Sequence, residues 1–314
     1  MLQTLREGPG AVLTPFFIAM SEYVIAAGPI MLAFVYWCVD KRIGAWGFFN
    51  LTLSGLATSV VKLTTCVYRP WILDGRLHID PRVASSATGY SFPSTHTTMA
   101  SSTFGSIAWW QRRRRAWFAV VLVVVTLLIG FARNWLGAHT LQDVCAALCV
   151  AAVVMVITSL VMRYLDANPS KDVMIVLLVL ATCAVAAIYV MVKPYPMDYT
   201  PTGALLVDPK DMTPDFWEFV GLTSAWAISW LVERRFVGFD CNGTKARKAI
   251  RFIAGTALVG VTYVLVMPAV VAPLDPSVGR LIQRFVTILV FGCVFPAIVK
   301  FVQVRWPSRS GASE

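Results

Sequence analysis

The chain has 314 residues; 57% are hydrophobic, only 14% are charged, and the formal net charge is +10. A soluble domain is usually about 25% charged, and the mean hydropathy of +0.68 points the same way. This composition excludes an ordinary soluble enzyme, a disordered chain or a fibrous repeat, and it fits a polytopic membrane protein, whose spans need about 20 mostly apolar residues each.

Nine apolar segments are predicted along the chain, over 14–38, 45–67, 95–110, 117–132, 140–162, 173–192, 214–232, 250–272 and 281–304. The third and fourth are short for a full crossing and need polar neighbours to complete one. Residues 1–13 read as an N-terminal interfacial segment, and Pro9, Gly10 and Pro15 argue against one continuous helix before Glu22. The expected fold class is all-α, a polytopic transmembrane helix bundle of about nine membrane segments. Cys38, Cys66, Cys145, Cys149, Cys183, Cys241 and Cys293 include no Cys-x-x-Cys pair, and six lie in or at the ends of apolar runs. They read as buried apolar thiols rather than as a disulfide framework or a zinc site.

Basic residues cluster between the segments: Lys41 and Arg42; Arg112 to Arg115; Arg163 and Lys171; Arg234, Arg235, Lys245, Arg247, Lys248 and Arg251; and Lys300, Arg305 and Arg309. Alternation puts all five clusters on one side, which the positive-inside rule makes cytoplasmic. The positive charge therefore reports topology, and nucleic acid is not an expected partner. The loops near 68–94, 133–139, 193–213 and 273–280 fall on the opposite side, and parity puts the N-terminus there too.

A charge near the bilayer centre costs at least about 2.5–3.5 kcal/mol, so ionisable groups at helix ends mark candidate chemistry. Three stretches stand out, all on the non-cytoplasmic side. In the first, Lys62 and Arg69 are seven apart, two turns of a helix that Pro70 then ends. Two cations on one face suit an oxyanion, although snorkelling to headgroups would explain them as well. In the second, Pro93, Ser94 and Thr95 read as a helix start whose free N–H groups attract phosphate. His96 adds a group that exchanges protons near neutral pH; an ordinary cap with an interfacial histidine is the plainer alternative. In the third, His139 and Asp143 are one helical turn apart. The carboxylate can hold the imidazole Nδ1–H and leave Nε2 as a lone pair, while Arg133 offers a bidentate donor to phosphate oxygens. A purely structural His–Asp pair would look the same.

Taken together, Lys-x6-Arg-Pro, Pro-Ser-Thr-His and Arg-x5-His-x3-Asp resemble the three-part signature of the type 2 phosphatidic acid phosphatases, a superfamily that includes the vanadium haloperoxidases. The resemblance spans residues 62–143. Thr95 stands where glycine is common in that pattern, and Ala132 stands where a serine usually precedes the arginine. The resemblance implies that His139 attacks phosphorus, that Asp143 orients His139, and that His96 protonates the leaving group and then activates water. It also implies that Lys62, Arg69, Ser94, Thr95 and Arg133 hold the phosphoryl oxygens.

The implied division is a phosphatase core over 14–162 and a C-terminal transmembrane extension of unknown role over 163–314. The expected activity is hydrolysis of a lipid phosphate or lipid pyrophosphate by an integral protein of a bacterial cytoplasmic membrane. Lipid substrate and membrane lipids are the expected partners, with no metal and no cofactor. Phosphoryl transfer to another lipid, or transport or scaffolding with a vestigial site, are the alternatives. Glu22 and Glu218, acidic residues in or beside apolar runs, are each expected either to pair with a buried cation or to sit at the interface. Arg76, His78 and Arg82 read as a solvated loop or as a substrate rim.

Overall fold

The computed structural model describes residues 2–87, 89–200 and 202–306. Arg309, counted above in the basic tail, lies outside them. Among the described residues the chain is helical, without strands. A short helix α1 (Leu2–Glu7) is followed by α2 (Ala11–Cys38), α3 (Lys41–Thr65), the one-turn α4 (Pro70–Leu73) and α5 (Thr95–Gln111). Then come α6 (Ala116–Trp135), α7 (Leu141–Ala167), α8 (Asp172–Val192), α9 (Thr213–Val232), α10 (Lys245–Val271) and α11 (Pro276–Arg305).

Seven stretches among the described residues are long and apolar enough to cross a membrane: Ala11–Cys38, Lys41–Leu73, Ala116–Trp135, Leu141–Ala167, Pro169–Val192, Lys245–Val271 and Pro276–Arg305. The expected count of about nine is therefore not reached by that measure. The other two expected segments are helices, α5 and α9, but they are shorter or more polar. Their position gives the reason. Helix α5 packs against α2, α3, α6 and α7, so its neighbours are protein rather than lipid. It can then carry Ser101, Ser102, Thr103 and Ser106, all buried. Each hydroxyl returns a hydrogen bond to its own helix, as Ser101 Oγ does to the Thr97 carbonyl at 2.7 Å. Asn50 Nδ2 donates to Ser106 Oγ at 2.8 Å, and the Thr58 and Thr98 hydroxyls meet at 2.9 Å, fastening α3 to α5. Buried polar groups without such partners would be costly.

The N-terminal segment is more regular than its prolines suggest. Helix α2 runs through Pro15 and Pro29, but over Ala19–Val24 it widens into a π-turn. The extra residue per turn re-aims the side chains there, and Ser21 and Glu22 lie on that turn. The helix starts follow local chemistry: Asp40 caps α3, Ser94 caps α5, and Thr140 with Asp143 forms a reciprocal capping box at α7.

Close approach between helices depends on small residues. A methyl group on Gly221 would meet the Leu281 carbonyl oxygen at 2.5 Å, and one on Gly55 would meet the Phe219 ring at 2.0 Å. These two glycines let α9 lie directly on α11 and on α3. The thiols divide among three environments, with Cys66 and Cys293 half-buried. Cys38, Cys183 and Cys241 are buried as expected, whereas Cys145 and Cys149 on α7 are exposed, facing outward from the bundle.

The basic clusters gather at one end. Lys41 pairs with Glu233, Arg42 with Asp166, and Arg234 and Arg235 with Asp172. Helix α3 begins at that end and reaches Lys62 near the other, a distance of roughly 30 Å along the helix at ~1.5 Å per residue.

Candidate functional site

At the end of the bundle opposite those clusters lies a cavity of about 150 Å³. Lys62 and Arg69, Thr95 and His96, and His139 all line it, so residues from all three sequence stretches meet in one place.

Lys62 and Arg69 arrive by a route that differs from the expected single helix face. Helix α3 stops at Thr65, where Cys66 takes a left-handed conformation with φ 49°. Pro70 disfavours helical geometry in the residue before it, and Arg69 is extended accordingly, at φ −67°, ψ 153°. Pro70 thus opens α4 instead of closing α3. The break turns Arg69 back over the cavity: its Nε donates to the Gly89 carbonyl at 3.1 Å and its Nη1 to the Ala138 carbonyl at 2.8 Å. Lys62 Nζ, also buried, donates to the Tyr90 carbonyl at 3.2 Å.

His139 sits in the connection between α6 and α7. Arg69 Nη1 lies 2.8 Å from its Nε2. A guanidinium can only donate, so Nε2 is the acceptor and the ring proton belongs on Nδ1. Nδ1 lies 3.3 Å from Asp143 Oδ2. The same carboxylate oxygen accepts from Ser91 Oγ at 2.6 Å and from the Thr140 N–H at 2.7 Å. Asp143 is therefore fixed by the cap of its own helix and by a serine from the 68–94 loop, and it presents the imidazole with its Nε2 lone pair towards Arg69. Burial, followed by the charges of Arg69, Arg133 and Lys62, pushes His139 protonation well below the ordinary histidine range. That shift favours the neutral ring. His96 lines the cavity and makes no hydrogen bond to another described residue, which leaves both its nitrogens open to a ligand.

Two expected phosphate contacts lie behind the cavity wall. Ser94 is fully buried, and its hydroxyl accepts from the Thr97 N–H at 3.4 Å and from the Thr97 hydroxyl at 3.0 Å. It acts as the helix cap of the plainer reading. Arg133, also fully buried, donates through Nη1 to Ser21 Oγ at 2.8 Å, to Glu22 Oε1 at 3.2 Å and to Ser86 Oγ at 3.2 Å. Ser86 itself lines the cavity, so Arg133 stands one hydrogen bond behind it. The open question about Glu22 resolves as a pair with this arginine.

Several lining residues lie outside the three sequence stretches, and of these only Glu218 stood out in the sequence. Met212, Asp215, Phe216, Glu218 and Phe219, from α9 and the residue before it, form the lateral wall. They lie in the C-terminal extension, which therefore completes the cavity. Glu218 pairs with Arg280 and Arg284 of α11, and Asp215 with Arg280. Nothing local in the sequence ties this helix start to His139.

The 68–94 loop neutralises its own charges. Arg76 pairs with Asp74 and Arg82 with Asp80, and each arginine holds its partner's carboxyl below the usual range. The His78 carbonyl accepts from Arg6 at 2.7 Å, and the N-terminal helix packs at this same end of the bundle. These contacts favour the loop reading over a substrate rim.

The arrangement offers a neutral, oriented imidazole, a second imidazole, two cations and a helix N-terminus around a single small cavity. No curated protein and no solved structure matches the chain. The family model that does match is that of the PAP2 superfamily, over residues 44–167, a segment that holds every residue singled out from the three stretches. The matched segment, residues 44–167, is consistent with a member of the PAP2 superfamily.

Proposed function

We propose that the protein is an integral-membrane, metal-independent phosphohydrolase of lipid phosphates or lipid pyrophosphates, working through a phosphohistidine at the non-cytoplasmic face. The observation that carries this reading is the meeting of His139, His96, Lys62 and Arg69 in one cavity, with Asp143 holding the Nδ1 side of His139. Phosphoryl transfer needs mainly positioning and charge stabilisation. Lys62, Arg69 and the first turn of α5 supply fixed positive charge without a metal, and Arg133 reinforces it from behind Ser86.

In this mechanism the Nε2 lone pair attacks phosphorus and the phosphorus–oxygen bond to the leaving group breaks. His96 gives a proton to that departing oxygen. Water then attacks the phosphohistidine, His96 takes its proton, and the nitrogen–phosphorus bond breaks to release phosphate. An amphiphilic substrate is favoured by the lining: Leu63, Met99, Met212, Phe216 and Phe219 make an apolar side beside the cations, at helix ends where a tail can remain in lipid. The non-cytoplasmic assignment rests on the basic clusters at the far end of the bundle.

The test is phosphate release from a panel of lipid mono- and diphosphates in detergent micelles, with and without chelator. We expect release from at least one lipid at a rate the chelator leaves unchanged. An added acceptor alcohol that captured the phosphoryl group in place of water would assign a transferase instead. Magnesium-dependent release, or none from any lipid, would contradict the proposal.

A further inference from the structure

A second cavity, of about 660 Å³, lies at the opposite end of the bundle, between the start of α10 and the end of α11. Its floor is apolar: Ile250, Ala254, Ile298 and Val302 line it, and all four are exposed. Its rim is cationic, with Arg247, Arg251 and Lys300 facing one acidic residue, Asp240. Arg251 is 9% exposed, and its guanidinium is held by carbonyls alone. Nη1 donates to Trp37 at 2.7 Å and to Asp240 at 3.0 Å, and Nη2 donates to Asn242 at 3.2 Å. Among the described residues none of the three cations lies within ion-pair distance of a carboxylate. The Asp240 carboxylate is engaged by the N–H and side-chain amide of Asn242.

A groove with an apolar floor, a surplus of two positive charges at its rim and a tryptophan, Trp306, at its edge has the chemistry of one ligand. We propose that it binds an anionic phospholipid of the leaflet on the basic side of the bundle. The phosphodiester would lie against Arg247, Arg251 and Lys300, and an acyl chain would lie along Ala254, Ile298 and Val302. Basic residues beside a membrane surface attract anionic headgroups, and a tryptophan suits the headgroup level. The site is independent of the phosphatase reading: it lies at the other end of α3 and shares no residue with the catalytic cavity.

The probe is native mass spectrometry of the full chain, released from detergent containing equal amounts of phosphatidylglycerol and phosphatidylcholine with matched chains. We expect a phosphatidylglycerol adduct to be retained over phosphatidylcholine by about thirtyfold, as two surface cations would give. The double variant Arg247→Gln/Lys300→Gln, at an exposed and a half-buried position, should lose that preference. Ala254→Trp, which fills the floor and leaves the charges, should weaken both adducts. Equal retention of the two lipids by the unaltered chain, or an adduct pattern that neither variant changes, would overturn the proposal. So would an adduct that forms only after residues 307–314 are removed, because the chain's own tail would then be the occupant.

Discussion

Alanine in place of His139 is expected to reduce phosphate release by roughly six orders of magnitude, the scale seen when the nucleophile of a cooperating set is lost. The expectation rests on geometry. His139 is the one imidazole with its two nitrogens assigned to different tasks: Nδ1 against Asp143 at 3.3 Å and Nε2 against Arg69 at 2.8 Å. Asp143→Asn should cost less, because the Thr140 N–H and Ser91 would still hold the side chain in place while the charge that supports the imidazole is gone. The measurement is free phosphate released from micellar lipid phosphate, with helicity checked by circular dichroism. A His139→Ala protein that turned over substrate normally would remove the nucleophile from the account.

Arg133→Ala is expected to lower both stability and activity. Arg133 is fully buried and donates to Ser21, Glu22 and Ser86, tying the π-turn of α2 to α6 and to the wall of the cavity. Removing one partner of a buried pair costs about 3–5 kcal/mol. Glu22 is 26% exposed, which places the expected loss at the lower end of that range. The check is thermal unfolding in detergent. The double variant Arg133→Ala/Glu22→Gln should recover part of the loss, because the carboxylate left without its partner is then gone. An unchanged unfolding temperature for Arg133→Ala would show that the pair carries no structural weight.

Much of the site was legible in sequence because its residues violate the composition around them. Two of three histidines, with cations at the ends of apolar runs, stand out in a chain with only 14% charged residues. The His139–Asp143 spacing suggested a contact one turn along a helix; the contact is present, but His139 precedes the Thr140 cap of α7 and meets Asp143 across the capping turn. Other features could not be read locally. The Lys62–Arg69 spacing suggested one helix face, yet the chain breaks at Cys66, and the two cations meet through a turn instead. Ser94 and Arg133 fit the pattern of ligands, but the fold uses the first as a cap and holds the second behind Ser86. The wall from α9 depends on Gly55 and Gly221 allowing close packing, a relation between residues more than 50 positions apart. The polar character of α5 made the crossing count uncertain for a physical reason: a helix surrounded by other helices does not need an apolar surface.

The central claim is that phosphorus becomes bonded to His139 during turnover. The direct measurement is a rapid alkaline quench of the His96→Ala protein with a nitrophenyl lipid phosphate, whose leaving group departs without the proton His96 gives in the first step, followed by peptide mass spectrometry. Without His96 to activate water, the second step should slow, and a phosphoryl group should accumulate on the peptide carrying His139. A protein that releases phosphate yet never carries label on His139, even when the second step is slowed, would contradict the account.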